Sequence, residues 1–333
     1  MEYRILEVED KIVVKDVEHF EPKHIFECGQ CFRWDSETDG SYTGVALGRI
    51  LNVKKDKEDI IFSNTNLKDF KEIWLDYFDL KTDYSGIKNK LSRDPILKEA
   101  INFGHGIRIL NQDEWEILIS FIMSARNSIP MIKRSLNILS ERYGKYLGQY
   151  NGRKYYSFPE ANELAKLSLE EVQDCKASFR SKYILSTAKT IASGQVDIYS
   201  FKNLSTEDAR KELMRFTGVG PKVSDCIMLF SMKKHDAFPI DVWVKRVMEY
   251  FYLKKDTNLK LIQKYGQDKF GEFAGYAQQY LFYYARELGI GKNKEWLLVC
   301  SFIVICLGLG IFSSLYKKGE KTIYIMKYEL NLP

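Results

Sequence analysis

Lys222 and Asp241, nineteen residues apart, are the pair whose types and settings could carry covalent chemistry. Lys222 falls in the first turn of a helix that opens at Pro221. The positive end of the helix macrodipole disfavours a protonated amine there. An unprotonated lysine amine is a nucleophile towards a sugar C1′ or a carbonyl. Asp241 follows Phe238-Pro239-Ile240 and precedes the helical run 242–251, so it reads as an N-cap. Backbone N–H bonds to its carboxylate predict that it stays ionised near pH 7. A fixed anion beside a lysine is what a reaction through a cationic sugar and an iminium needs. Taken singly, a first-turn lysine is ordinarily a solvated side chain, and a pre-helical aspartate is ordinarily only a cap. The conjunction, Gly-Val-Gly-Pro-Lys and then Pro-x-Asp at this distance, is far more specific.

Two helices and the turn between them must hold that lysine. Residues 205–216 (STEDARKELMRF) carry a capping Ser205, Asp208 at the capping-box position, and Ala209, Leu213 and Phe216 at helical spacing. Thr217-Gly218-Val219-Gly220 breaks this helix, and Pro221 suits the first position of the next. The second helix would bury Val223, Cys226, Ile227 and Phe230. The free N–H groups of Gly218, Val219 and Gly220 then form an anion site suited to a DNA phosphate.

Four further stretches accompany this unit: Cys28-Gly29-Gln30-Cys31-Phe32-Arg33-Trp34, Ser120-Phe121-Ile122-Met123-Ser124-Ala125-Arg126-Asn127, Phe179-Arg180-Ser181-Lys182-Tyr183 and Gly275-Tyr276-Ala277-Gln278-Gln279-Tyr280-Leu281-Phe282. With them the chain resembles, over about residues 1–291, the helix-hairpin-helix DNA glycosylases with a Gly/Pro-rich loop and a following aspartate. Within these it is similar to the bacterial 8-oxoguanine DNA glycosylase/AP lyases. The resemblance implies an α+β fold, with an N-terminal antiparallel sheet domain before a two-part helical body. It implies base excision repair of 8-oxoguanine in duplex DNA, opposite cytosine, by a monomer without metal or cofactor in the chemistry. Lys222 attacks C1′, Asp241 stabilises the cationic sugar, and the Schiff base undergoes β-elimination.

The same resemblance assigns a base pocket. Its Gly29 carbonyl takes the lesion's N7–H, where normal guanine presents an acceptor. Cys226 and Phe282 sandwich the flipped base, and Gln278 takes its Watson–Crick edge; Gln278 and Phe282 stand at i and i+4, so both can face one pocket. On the DNA side it makes Asn127 the residue that enters the gap, Phe179 a wedge and Arg180 a donor to the orphaned cytosine. There are departures. Arg126 replaces an asparagine often found there, Met131 stands where many eukaryotic members read the cytosine with arginine, and Trp243 replaces a histidine that contacts the DNA backbone. Lys245 and Arg246 remain as phosphate ligands. Two other readings stand beside this one: a glycosylase for another damaged base, and a helix-hairpin-helix DNA-binding protein without catalysis.

Composition bounds rather than decides. The 333 residues suffice for two or three domains, and 45% hydrophobic and 14% aromatic content exclude a disordered chain. A net charge of +5 is too mild to announce a nucleic-acid partner by itself. The six cysteines form no evident disulfide framework, which with the charged N-terminus predicts a reducing, cytoplasmic setting. Cys28-x-x-Cys31 lacks the second pair a zinc site needs, and no cysteine quartet for an iron–sulfur cluster follows the catalytic region. Residues 1–110 alternate like an antiparallel sheet followed by helices at 67–79 and 84–103; 111–292 read as helical throughout, with 145–159 a tyrosine-rich connection. Residues 293–333 form a tail whose uncharged run 296–316 is long enough to span a bilayer, and three readings fit it: a membrane anchor, a buried terminal helix, or a segment not native to the glycosylase.

Overall fold

The computed structural model describes residues 3–291. The apolar run 296–316 lies outside the described residues, and no helix among them is long and apolar enough to cross a membrane.

Period-two alternation near the N-terminus folds into a six-stranded antiparallel sheet. Its strands are β1 (Ile5–Val8), β2 (Lys11–Val14), β3 (Trp34–Ser36), β4 (Tyr42–Ala46), β5 (Arg49–Asp56) and β6 (Asp59–Ser63), in the order β1-β2-β6-β5-β4-β3. Ile12 pairs with Phe62 and Val14 with Ile60, and all four are fully buried, so the register sends one apolar face inward. An aromatic cluster covers that face. Phe62 lies 5.2 Å from both Phe70 and Phe78, centroid to centroid, and Trp74 joins them. β3 is too short to show alternation; stacking of Trp34 on Phe26 at 4.2 Å fixes its place.

The chain then turns mainly helical, and sheet plus helical body make an α+β fold. The expected helix over 84–103 is two, α1 (Tyr84–Leu91) and α2 (Pro95–Phe103). Asp94 caps the second, its Oδ1 accepting from the N–H of Ile96 and Leu97, and Pro95 cannot continue the first. The body continues with α3 (Glu114–Met123), α4 (Ile129–Tyr143), α5 (Ser181–Ala192), α6 (Thr206–Leu213), α7 (Pro221–Ser231), α8 (Val242–Met248), α9 (Leu259–Phe270) and α10 (Ala274–Leu288).

One expectation is corrected here. The stretch read as a connection inside an all-helical region is a β-hairpin, β7 (Tyr146–Tyr150) and β8 (Arg153–Tyr156). Asn151 and Gly152 both take positive φ, 46° and 76°, as the primed two-residue turns of hairpins require. Arg33 donates from Nη2 to the Tyr156 carbonyl, tying the hairpin to the N-terminal part.

Candidate active site

The lysine is held by backbone geometry. Ser205 Oγ accepts from the Asp208 N–H at 3.1 Å and starts α6. Gly218 then takes φ +89°, and a Cβ there would lie 2.6 Å from Tyr183 Cδ2, so no other residue fits. Gly220 is the extended N-cap of α7 and Pro221 its first residue. Every α7 residue from Val223 to Ser231 is buried, which leaves Lys222 to emerge at the edge. Its Nζ lies 5.1 Å from the ring centroid of Phe121 on α3.

Asp241 caps α8 as expected: Oδ1 accepts from the N–H of Trp243 at 2.9 Å and of Val244 at 2.8 Å. Both bonds use the same oxygen. Burial is nevertheless the larger influence and raises its carboxyl above the ordinary value, against those N–H bonds and the charges of Lys222 and Arg286. Capping alone predicted the opposite direction.

These two residues share a cavity of about 330 Å³ with Gly29, Cys226, Gln278 and Phe282. Cys226 is 4% exposed, and burial pushes its thiol up to about 11, with Lys222 pulling the other way. That makes it an apolar wall rather than a thiolate. Gln278 is 3% exposed and its Oε1 has no hydrogen-bond partner. A buried acceptor left unpaired costs free energy that a ligand's donor would recover.

Gly29 takes φ +81°, and a Cβ there would lie 3.1 Å from Phe282 Cε1. Its turn is pinned from several sides. The fully buried Gln30 donates from Nε2 to the carbonyls of Ile25 (2.9 Å) and Arg108 (2.8 Å) and accepts from the Leu110 N–H at 2.9 Å. Gln112 Nε2 donates to the Gln30 carbonyl at 2.8 Å, and Gln279 Nε2 to the Cys28 carbonyl at 2.7 Å.

Of the DNA-side residues, some turn back on the protein and others are exposed. Asn127 lines the cavity, while its amide turns back on its own loop, donating to the Met123 carbonyl and accepting from the Ser128 N–H. Arg126 is exposed at φ +51°. Arg180 is buried, and its Nε, Nη2 and Nη1 donate to the carbonyls of Ala125 (2.7 Å), Arg126 (2.9 Å) and Ala177 (3.3 Å). It therefore clamps the Asn127 loop instead of offering donors outward. Phe179 is 47% exposed, carried by a turn in which Lys176 and Ser178 both have positive φ. Met131 is 39% exposed on α4. Trp243 lines the cavity with Arg246 5.0 Å over its ring. Lys245 pairs with Asp256 at 2.7 Å and Glu249 at 3.4 Å.

Sequence reasoning missed Arg286, which lines the cavity one turn beyond Phe282 on α10. The 278, 282, 286 spacing was the available signal.

Comparison with known proteins follows the same two-part division. Residues 12–118 match the family of 8-oxoguanine DNA glycosylase N-terminal domains, and residues 119–294 match the HhH-GPD superfamily of base excision DNA repair proteins. A probable N-glycosylase/DNA lyase of Methanothermobacter thermautotrophicus is 32% identical over 233 residues, 64% of this chain and 74% of the relative. An N-glycosylase/DNA lyase of Arabidopsis thaliana is 29% identical over 274 residues, 77% and 75% of the two chains. The Clostridium acetobutylicum 8-oxoguanine glycosylase/lyase, solved with double-stranded DNA carrying cytosine opposite 8-oxoguanine, superposes with a TM-score of 0.85 at 48% identity, covering 87% of this chain and all of that one.

Proposed function

Because the chain belongs to the HhH-GPD superfamily of base excision DNA repair proteins, we infer that its cavity receives a damaged base flipped from duplex DNA and delivers the sugar to Lys222. The protein is a bifunctional 8-oxoguanine DNA glycosylase/AP lyase, and its partner is duplex DNA with 8-oxoguanine opposite cytosine. The carrying observation is that one cavity joins an amine, a half-buried carboxylate and an unpaired amide oxygen.

The chemistry follows from those groups. Lys222 Nζ attacks C1′ as the N-glycosidic bond breaks, and the base leaves with its electron pair and takes a proton. Asp241, fixed through Oδ1, stabilises the positive charge that develops on the sugar. The ring opens to a Schiff base, loss of a C2′ proton breaks the C3′–O bond, and the strand is nicked. The unpaired Gln278 oxygen accepts from the base's N1–H and amino group, and Phe282 and Cys226 cover its faces.

Borohydride trapping on a duplex with one 8-oxoguanine tests this. Wild-type protein should form a covalent adduct, and Lys222→Gln should form none. An adduct that persists in Lys222→Gln, or base release with no adduct, would sink the lysine mechanism. Release of 3-methyladenine instead of 8-oxoguanine would move the protein to another lesion.

A further inference from the structure

We propose that Arg286 is a specificity-determining donor for this reaction, its Nη1 hydrogen-bonding the O8 oxygen that distinguishes 8-oxoguanine from guanine. The proposal rests on the reading of the cavity as the 8-oxoguanine pocket. Four observations converge on it. Arg286 lines that cavity beside Gly29: a Cβ built on Gly29 would lie 3.4 Å from Arg286 Nη1. The side chain is 17% exposed, and its other nitrogens are occupied: Nη2 donates to the Glu27 carbonyl, and Nε and Nη2 reach Glu287 Oε1 at 3.0 and 2.8 Å. The guanidinium carbon lies 5.2 Å over the Phe282 ring, so the group is held in place. Only Nη1 is buried without a partner.

Two orphaned polar atoms therefore belong to residues that line one cavity, and their polarities differ. Gln278 Oε1 wants a donor; Arg286 Nη1 wants an acceptor. Oxidation of guanine inverts both positions of the imidazole edge: N7 changes from acceptor to donor, and C8–H becomes a carbonyl. The resulting N–H and C=O sit side by side like an amide edge. A backbone carbonyl at Gly29 next to a guanidinium N–H is the complement of that edge. Guanine offers the same arginine only a C–H and leaves its N–H unpaired, at the cost of burying a charged donor without a partner. Gly29 and Arg286 then check the two changed atoms separately, which sharpens discrimination against the vast excess of normal guanine.

The test is a two-by-two comparison of single-turnover excision. The probes are duplexes carrying 8-oxoguanine or 8-thioguanine, which keeps N7–H but replaces O8 with a poor acceptor. The proteins are wild type and Arg286→Met, which keeps an apolar stem on Phe282. Each rate is normalised to the same protein's trapping at an abasic site, where no base is present for Arg286 to touch. Removing a charge-assisted bond should slow 8-oxoguanine excision by about tenfold to a hundredfold. The loss on 8-thioguanine should be smaller by roughly tenfold, and Arg286→Lys should restore part of the preference for oxygen. An equal loss on both bases would show that Arg286 only braces the turn and would overturn the proposal alone. Failure of wild type to excise 8-oxoguanine would overturn the pocket reading along with it.

Discussion

Alanine at position 29 would meet two obstacles. Its Cβ would press on Phe282 at 3.1 Å, and φ +81° is a conformation that side chains other than glycine's rarely hold. Gly29→Ala should lower stability by about 1 kcal/mol or more, seen as a drop in thermal midpoint, and slow 8-oxoguanine excision more than trapping at an abasic site. Equal losses on both substrates would mean that the turn supports the fold and not the base. At this scale much was legible. Lys222, Asp241, Cys226, Gln278, Phe282 and Gly29 are all named by motif, and one cavity gathers them. Arg286 was not legible, because a charge near a helix end reads as solvated until the fold lays its guanidinium over Phe282 and against the Glu27 carbonyl. The direction of the Asp241 shift was also hidden: capping is local and written in the sequence, whereas burial is contributed by distant elements.

Between elements, the informative contact is Arg180 on the loop from α3 to α4. Its three bonds go to carbonyls of Ala125, Arg126 and Ala177, and they hold Arg126 at φ +51°. Arg180→Ala leaves those carbonyls without their donors. Hydrogen exchange over residues 124–128 should quicken, and single-turnover excision should fall by roughly tenfold or more at subsaturating protein, with Arg180→Lys a poor substitute because an ammonium lacks the planar fork. Unchanged exchange would remove the clamp from the account. The hairpin between α6 and α7 was readable from its glycines, and Gly218 shows why, since a Cβ would run into Tyr183. The β7–β8 hairpin was equally readable from Asn151-Gly152, but the tyrosines around it do not alternate cleanly in burial, so the helical pattern on either side hid it. The break between α1 and α2 had its own marker in Asp94-Pro95.

For the whole molecule, pH should act through half-buried histidines. Burial lowers both His24 and His235 from 6.5 to about 4, with neighbouring lysines pushing the same way. The unfolded chain takes up these protons near pH 6.5 and the folded chain only near 4. Their contribution to stability is therefore complete above pH 6.5 and is lost as the pH falls towards 4, by roughly 1–3 kcal/mol for each histidine. His235→Phe keeps a ring against Tyr276, now 4.7 Å away, and removes one titration. Thermal midpoints measured from pH 4 to 7 should fall less steeply in acid for this variant than for wild type; identical slopes would exclude His235 as a source.

The pinned turn at Gly29 bears on how the protein is made. Its carbonyl partners and donors come from Ile25, Arg108, Leu110, Gln112, Gln279 and Arg286, and the Gln279 bond to Cys28 spans 251 positions. The lesion reader is thus translated long before the helix that completes it. A nascent chain without α10 lacks two of the bonds that fix the reader, and so does a chain truncated before it. Nor can the reader be grafted with the N-terminal sheet alone onto another glycosylase body, because two of its six fastenings come with α10.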